Sequence, residues 1–492
     1  MSANSPAAVV VLAAGGGTRM KSNSLPKVLH EVCGRSLVGH AVAAAEELTP
    51  GQLVVVIGHL REKVREHLAA RHPQARAVVQ EEQNGTGHAV RTALEALAAD
   101  GIELDGTVIV TTGDAPLLTG ETLRALADAH DAQGNGVTVL TAVVPDPFGY
   151  GRILRDGVDG VDGAVAAIVE EKDASDAQRA IDEINSGVFA FDAGLLVQAL
   201  AEVTTDNSQG EEYLTDTLQI LRKAGHRVGA VVAADYRDIL GINDRVQLAH
   251  ARRLLNDRLL DRAMRAGVTV VDPATTWFDV QVSYEPDAVV LPNTQLQGGT
   301  HLGEGCEVGP NSTIKDTRIG AGARVTNTTA DGAEVGDLAV AGPYAYLRPG
   351  AKLARKAKVG TYVEVKNSEL GEGAKVPHLS YIGDATIGEG ANVGAASVTV
   401  NYDGVNKHRT VIGAHCRTGS DNMFIAPVTV GDGAYTAAGS VITNDVPAGA
   451  LGVGRAQQRN IPGWVERKRP GTTSAQAAAA ATAAGREASP EA

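Results

Sequence analysis

The stretch Leu302-Gly-Glu-Gly-Cys-Glu-Val308-Gly-Pro-Asn-Ser-Thr-Ile314-Lys-Asp-Thr-Arg-Ile319-Gly320 sets an apolar residue every five or six positions and a glycine behind most of them. That spacing is neither the period of a helix nor the alternation of a hairpin strand. It is the period of a parallel β-helix of hexapeptide repeats, in which each apolar residue stacks on its counterpart in the next coil. The pattern continues through Val325, Leu353, Val359, Val365, Leu370, Val376, Ile382, Ile387 and Val393. The apolar-glycine pair recurs at Val359-Gly360, Leu370-Gly371, Ile387-Gly388 and Val430-Gly431.

Upstream of this region the pattern changes. From Val9 to about Asn243, the β-branched runs Val9-Leu12, Leu53-Ile57, Ala77-Val79, Thr107-Val110 and Val137-Val143 alternate with stretches rich in Ala, Leu and Glu. Such alternation predicts a Rossmann-like α/β domain, a mostly parallel sheet covered by helices, with ligands outside the carboxyl ends of the strands. Between the two regions Val246, Leu254, Leu255, Leu259 and Met264 recur at helical spacing, which predicts a linker helix stopped by Gly267. The expected organisation is therefore an α/β domain over 1–243, a linker helix over 244–267, a β-helix over 268–465 and a tail over 466–492. The tail opens with Glu466-Arg-Lys-Arg-Pro470 and runs into low-complexity alanine. It has no periodic core, so disorder is expected there, with Ala475 to Ala484 transiently helical.

A chain of 492 residues exceeds what one core usually organises, in line with two large domains. Its formal charge of -14 disfavours nucleic acid and anionic membranes as partners and points to small ligands met by local cations. Cys33, Cys306 and Cys416 lie far apart without metal-ligand spacing and read as reduced thiols of a cytoplasmic protein. Met1 to Ala8 carries no basic leader, and the apolar run Val9 to Ala14 is too short to cross a bilayer, so neither export nor a membrane span is expected.

The strand Val9-Leu12 runs into Ala13-Ala14-Gly15-Gly16-Gly17-Thr18-Arg19-Met20, with Pro26-Lys27 close behind. Glycines after a buried strand let backbone N–H groups approach a phosphate, while Arg19 and Lys27 supply the cations that a triphosphate needs. Alone, the glycines also fit a plain strand-to-helix turn. They do not fit other phosphate cradles: Met20 stands where a dinucleotide fingerprint needs its third glycine, and no Gly-Lys-Ser/Thr closes a P-loop. Asp114, just beyond the strand Thr107-Val110, is placed either to hold Mg²⁺ between two anionic reactants or to cap the next turn.

These residues carry a resemblance. Leu12-Ala-Ala-Gly-Gly-Gly-Thr-Arg-Met20 with Lys27 is similar to the signature of sugar-phosphate nucleotidyltransferases. Gln80 with Gly85-Thr86-Gly87-His88, then Thr112-Gly113-Asp114, resembles the uridine- and metal-binding segments of the N-acetylglucosamine-1-phosphate uridylyltransferase branch. Thr112 is a departure, standing where many relatives carry tyrosine. The resemblance implies that Leu12, Ala13, Ala14, Gly15, Lys27, Gln80, Gly85, Thr86, Thr112, Gly113 and Asp114 meet the nucleotide, with Arg19 and Lys27 catalytic. It places Gly151 (in Gly149-Tyr150-Gly151-Arg152), Glu170 and Asn185 on the sugar, and Asn243 (in Gly241-Ile242-Asn243) on UDP-N-acetylglucosamine and, with Asp114, on the metal. By residue type alone, Asn243 reads as a helix cap.

The match continues through the β-helix, towards the bacterial family of bifunctional enzymes that also acetylate glucosamine 1-phosphate. Arg348, Lys366, His378, Tyr381, Asn392 and Asn401-Tyr402 break the apolar ladder there. Lys352, Arg355, Lys356 and Lys358 add charge, either to a site or to a solvated basic face. Acetyl transfer needs a deprotonated amine, and a histidine titrating near neutrality accepts that proton, although a lone histidine is often structural. Pro377-His378-Leu379-Ser380-Tyr381 with Asn401-Tyr402-Asp403-Gly404 resembles the acetyltransferase signature. The resemblance implies His378 as the base, Arg348 and Lys366 on the sugar phosphate, and Tyr381 and Asn392 on the amino sugar. It places Ala395, Asn401, Tyr402, Ser420, Ala438 and Arg455 on acetyl-coenzyme A. It also implies glucosamine 1-phosphate, UTP and acetyl-coenzyme A as substrates, Mg²⁺ as cofactor, a left-handed β-helix and a homotrimer.

Overall fold

The computed structural model describes residues 5–156 and 163–487, in two compact units that part between Pro349 and Gly350. The other positions of the expected 1–243 domain and 466–492 tail lie outside the described residues.

The first unit opens with β1 (Ala8–Ala13), the hairpin β2 (Glu31–Val32) and β3 (Arg35–Ser36), then α1 (Leu37–Glu46), β4 (Gln52–Ile57), α2 (Arg61–Arg71), β5 (Arg76–Val79), α3 (Thr86–Ala99) and β6 (Thr107–Thr112). It continues with α4 (Gly120–Gln133), β7 (Val137–Val143), β8 (Arg152–Arg155), β9 (Val165–Val169), α5 (Asp176–Arg179), β10 (Glu183–Asp192), α6 (Ala193–Glu202), α7 (Asp216–Lys223), β11 (Val228–Val232) and α8 (Arg245–Arg265). The main sheet has the order β11-β7-β10-β6-β1-β4-β5. Parallel pairs join β1 to β4 and β6, β4 to β5 and β11 to β7, whereas β10 runs antiparallel to β6 and β7. Side chains alternate along β1, so Val9 and Val11 enter a core with α1, α2 and α4, while Ala8 and Val10 enter a second core with α3, α6 and α7. Burial on both faces is why β1 reads as a continuous apolar run.

The five strands read from the sequence lie within β1, β4, β5, β6 and β7. The reading misses β8, β9, β10 and β11; the run of β10 is interrupted at Asn185, Ser186 and Gly187, where its pairing with β7 slips. The helix read over 244–267 is α8, and Gly267 follows it at φ 97°. Its expected stripe needs correction at the ends, because Val246 and Met264 are exposed. The packed face is instead Leu248, Ala251, Leu259, Leu260 and Ala263, with a fully buried Asn256 bonded to the Thr276 carbonyl at 2.8 Å and the Phe278 N–H at 2.9 Å.

Beyond α8, short parallel strands stack in coils. In the first unit Tyr284, Leu302, Ile319 and Val335 stand in register, sixteen to eighteen positions apart. In the second unit Leu353, Leu370, Ile387, Ile412 and Val430 do the same. A six-residue step therefore moves to the next face of a coil, and three such steps reach the stacked counterpart. Burying each of these aliphatic side chains contributes roughly 1.5–3 kcal/mol. The longer interval from Ile387 to Ile412 contains an excursion that carries Asn401, Tyr402, Asp403 and Gly404.

In the described part of the tail, residues Trp464–Lys468 form α9 and Thr473–Glu487 form α10, which spans the Ala475 to Ala484 run read as helical. Alanine has the highest helix propensity, and the Thr472 hydroxyl accepts from the Ala475 N–H at 3.3 Å at the start of the run. Among the described residues no helix is long and apolar enough to cross a membrane.

Candidate active sites

Strands β1 and β6 pair in register Leu12 to Thr112, so the segments leaving their carboxyl ends emerge side by side. The Gly113 N–H donates to the Leu12 carbonyl at 2.8 Å, and Asp114 follows. The glycine-rich segment enters a short turn of helix, Thr18–Met20, and Lys27 opens another, Lys27–Leu29. Gly17 is required just before the first of these: it adopts φ 60°, and a Cβ there would stand 2.5 Å from the Lys27 Cβ.

Lys27 is thereby brought inward. Its Nζ lies 2.5 Å from Asp114 Oδ2 and 3.5 Å from Asn243 Oδ1. Arg19 Nη2 reaches the same Asn243 oxygen at 2.8 Å. Asn243 is not the helix cap that its residue type suggests. Asp244 caps α8, accepting from the Val246 and Gln247 N–H groups at 2.9 Å each, and the Asn243 amide faces the cations. The donor set of one carboxylate and one amide carbonyl is hard oxygen, which suits Mg²⁺ when substrate phosphates supply further ligands.

Beside these groups lies a pocket of about 230 Å³ lined by Leu12, Ala14, Gly15, Gln80, Gly85 and Thr86, together with Gln83, Ala89 and Glu211. Gln80 is buried, its amide nitrogen 3.1 Å from the Gly85 carbonyl and 3.0 Å from His88 Nδ1. Gly85 packs against the Glu212 backbone with no room for a Cβ. The Thr86 hydroxyl accepts from the Leu214 N–H at 3.0 Å.

The expected sugar residues also converge. The Asn185 N–H donates to the Gly151 carbonyl at 2.9 Å, and a Cβ at Gly151 would lie 3.3 Å from Glu170 Oε2. Burial pushes the Glu170 carboxyl up, offset in part by the Thr215 hydroxyl at 3.5 Å. Burial also raises Tyr150, whose hydroxyl meets the Gly241 backbone. Ile242 N–H donates to the Asp114 carbonyl at 2.9 Å, so Asp114 and the Gly241-Asn243 segment are tied directly. Thr112 packs towards Gly187, where a Cβ would be 3.2 Å from its methyl group.

In the second unit Tyr381, Val398, Met423 and Val441 stand in register. His378, Ala395, Ser420 and Ala438 each lie three residues earlier and form one file along the coils. Backbone bonds confirm the file: Ala396 N–H to His378 O at 3.2 Å, Asp421 to Ala395 at 2.7 Å and Gly439 to Ser420 at 2.9 Å. Arg455 ends it, its Cδ 3.7 Å from where a Gly439 Cβ would stand. His378, Ser420 and Ala438 are exposed.

Next to the file is a polar cluster. Lys366 Nζ is 3.5 Å from Asp384 Oδ2, and Asp384 also accepts from Asn367 at 2.6 Å and Asn401 at 2.5 Å. Burial pushes the Asp384 carboxyl up, but the two amides and the Lys366 charge together outweigh it and hold the group below the ordinary range. Asn401 Nδ2 is 3.5 Å from the Tyr381 hydroxyl. Tyr402 is exposed and donates to the Gly404 carbonyl at 2.7 Å. Asn392 is not part of this cluster; it sits in a separate file, bridged to Lys375 and Arg417. Arg348, in the first unit, stands over the Tyr346 ring at 5.9 Å. Arg355 pairs with Glu372 at 3.1 Å on an exposed face, as a solvated basic face would.

Sequence reading misses Gln83, whose amide donates to the Ala14 carbonyl at 2.8 Å, and Glu211, both lining the Gln80 pocket. It also misses Gly383 and Asp384. Their signal was a polar Gly-Asp directly behind Tyr381-Ile382, where the repeat otherwise prescribes spacing alone. The three cysteines are buried and unpaired, and burial raises the Cys33 and Cys306 thiols to about 12.

Residues 9–175 match the family model of the MobA-like NTP transferase domain. The chain is 70% identical over 482 residues, 98% of each chain, to the bifunctional protein GlmU of Streptomyces avermitilis. It is 70% identical over 480 residues, again 98% of each, to that of Streptomyces coelicolor. It is 62% identical over 487 residues to that of Thermobifida fusca, covering 99% of this chain and 100% of the relative. With such identity along nearly its whole length and the NTP transferase domain at its start, the chain belongs to the GlmU family.

Proposed function

We propose that this chain is a bifunctional enzyme of UDP-N-acetylglucosamine synthesis, with the α/β domain over 1–243, the linker helix over 244–267 and the β-helix over 268–465. The observation that carries the reading is the convergence of Arg19, Lys27, Asp114 and Asn243 at the strand ends beside the Gln80 pocket. It joins two cations, a carboxylate and an amide oxygen next to a cleft of nucleoside size. The N-terminal half transfers a uridylyl group from UTP to N-acetylglucosamine 1-phosphate. A phosphate oxygen of the sugar attacks the α-phosphorus, the α–β phosphoanhydride bond breaks, and pyrophosphate leaves.

Both reactants are anionic, so Arg19 and Lys27 act by offsetting the charge that accumulates as they meet. Asp114 and Asn243 would hold Mg²⁺, which supplies further neutralisation of the phosphates when bound. Gln80, Gly85 and Thr86 receive the uridine, and Gly151, Glu170 and Asn185 receive the sugar.

The C-terminal half acetylates glucosamine 1-phosphate. The amine attacks the thioester carbonyl, its proton passes to His378, and the coenzyme leaves as the thiol once protonated. The file Ala395, Ser420, Ala438 and Arg455, with Asn401 and Tyr402, supports the coenzyme from the position of His378 outward, while Lys366 and Tyr381 meet the amino sugar and its phosphate. The reading takes the enzyme as a cytoplasmic homotrimer. Pyrophosphate release from UTP and N-acetylglucosamine 1-phosphate, with none when glucose 1-phosphate replaces the sugar, tests the first half; equal rates with both sugars contradict it.

A further inference from the structure

Gln247, on the first turn of α8, accepts a hydrogen bond from the Asn243 backbone N–H at 2.7 Å. The same residue type at the same helical position behaves differently in α5. There Ser175 is the N-cap, and Gln178, the third helical residue, accepts from the N–H of that cap at 2.8 Å, closing an ordinary capping box. In α8 the cap is Asp244 and Gln247 is the third helical residue, yet its side chain passes the cap and reaches one residue further back.

Asp244 already satisfies two N–H groups of the first turn, so the Gln247 bond adds its effect at Asn243. The oxygen of that asparagine meets Arg19 and Lys27. From the same turn, Arg245 Nε donates to the Met20 carbonyl at 3.1 Å and so holds the end of the segment that carries Arg19. One helical turn therefore fixes both partners of the Arg19–Asn243 contact.

We infer that Gln247 is a positioning residue of the nucleotidyl-transfer site, setting the Asn243 amide towards Arg19, Lys27 and the metal, with Arg245 steadying the glycine-rich segment opposite. The inference rests on the functional reading above, because it takes Asn243 as part of that site. Gln247 acts through Asn243 and touches no reacting atom. The linker helix is by this account a part of the first active site.

The test compares full-length Gln247→Leu, which lacks the acceptor, with Gln247→Glu, which keeps an oxygen. Mn²⁺ binding in the presence of UTP is read by electron paramagnetic resonance, with kcat and KM for pyrophosphate release, acetyl transfer and melting temperature on the same samples. Gln247→Leu is expected to weaken Mn²⁺ binding by roughly 10-fold or more, the scale at which residues orienting metal ligands act, and to lower kcat while acetyl transfer stays at the wild-type rate. Gln247→Glu is expected to recover most of that binding. A Gln247→Leu protein with wild-type Mn²⁺ affinity and kcat overturns the inference and leaves the functional reading standing. Equal loss in both variants, accompanied by a lower melting temperature and lost acetyl transfer, overturns it in favour of helix stability. Wild-type protein that releases no pyrophosphate overturns the functional reading and this inference with it.

Discussion

Lys27 Nζ and Asp114 Oδ2 lie 2.5 Å apart although 87 positions separate the two residues in the chain. Strand order makes the pair, since β1 and β6 are neighbours and both segments leave from their carboxyl ends. The contact sets a cation against the carboxylate at the place where a sheet of this type binds its ligand.

Asp114→Ala is expected to abolish pyrophosphate release while acetyl transfer is retained, because it removes a metal-holding oxygen and leaves Lys27 without its carboxylate. Parallel assays of the two products on one sample check this. Near-normal pyrophosphate release by a folded variant contradicts the role given to Asp114.

Glu170 offers a test with a sign. Burial raises its folded pKa above the unfolded value, so the native state binds more protons between the two values. Its contribution to stability falls as pH rises through that window and stays reduced above it. Glu170→Gln should therefore melt no lower than wild type at pH 8, with the advantage vanishing at low pH, while KM for the sugar phosphate rises. Thermal melts across pH decide the matter, and a variant much less stable at pH 8 contradicts the argument.

Gly383→Ala probes the proposed acetyl site without replacing any residue assigned to it. A Cβ at this position overlaps the Tyr381 hydroxyl and stands 2.8 Å from Asn401 Nδ2. Both side chains must move, so acetyl transfer should fall by roughly 10²-fold, the scale of a misplaced reacting group, with pyrophosphate release unchanged. Unchanged acetyl transfer would show that the Tyr381–Asn401 arrangement is not needed.

Much of this architecture was legible in the residues, and the limits have physical causes. The hexapeptide period names the β-helix because every stacked aliphatic must recur, as Leu302, Ile319 and Val335 do. The glycine-rich segment is legible because Gly17 has to leave room for Lys27. Strand β10 was not legible, since a slip in pairing at Asn185 breaks its pattern. The buried face of α8 was not either, because alanines and a satisfied Asn256 pack where longer apolar residues were expected. Asn243 and Asp244 are adjacent residues of nearly equal capping propensity, and only the tertiary contact of Asn243 with Arg19 separates them. Asp384 escaped because its partners, Lys366, Asn367 and Asn401, lie on neighbouring coils.

His378→Asn separates base from scaffold in the acetyl site. The side chain is exposed at the head of the Ala395, Ser420 and Ala438 file, so its loss should leave the melting temperature near wild type. Thiol release should fall by roughly 10²–10⁴-fold, the usual contribution of a positioned base. Wild-type thiol release across neutral pH contradicts the assignment.

The central claim is that one chain performs both transfers, and the most direct measurement follows thiol and pyrophosphate release separately from purified full-length protein. With glucosamine 1-phosphate, acetyl-coenzyme A, UTP and Mg²⁺ present, the account predicts release of both, and no pyrophosphate when acetyl-coenzyme A is withheld. Release of only one product from a folded protein supplied with all four would contradict it.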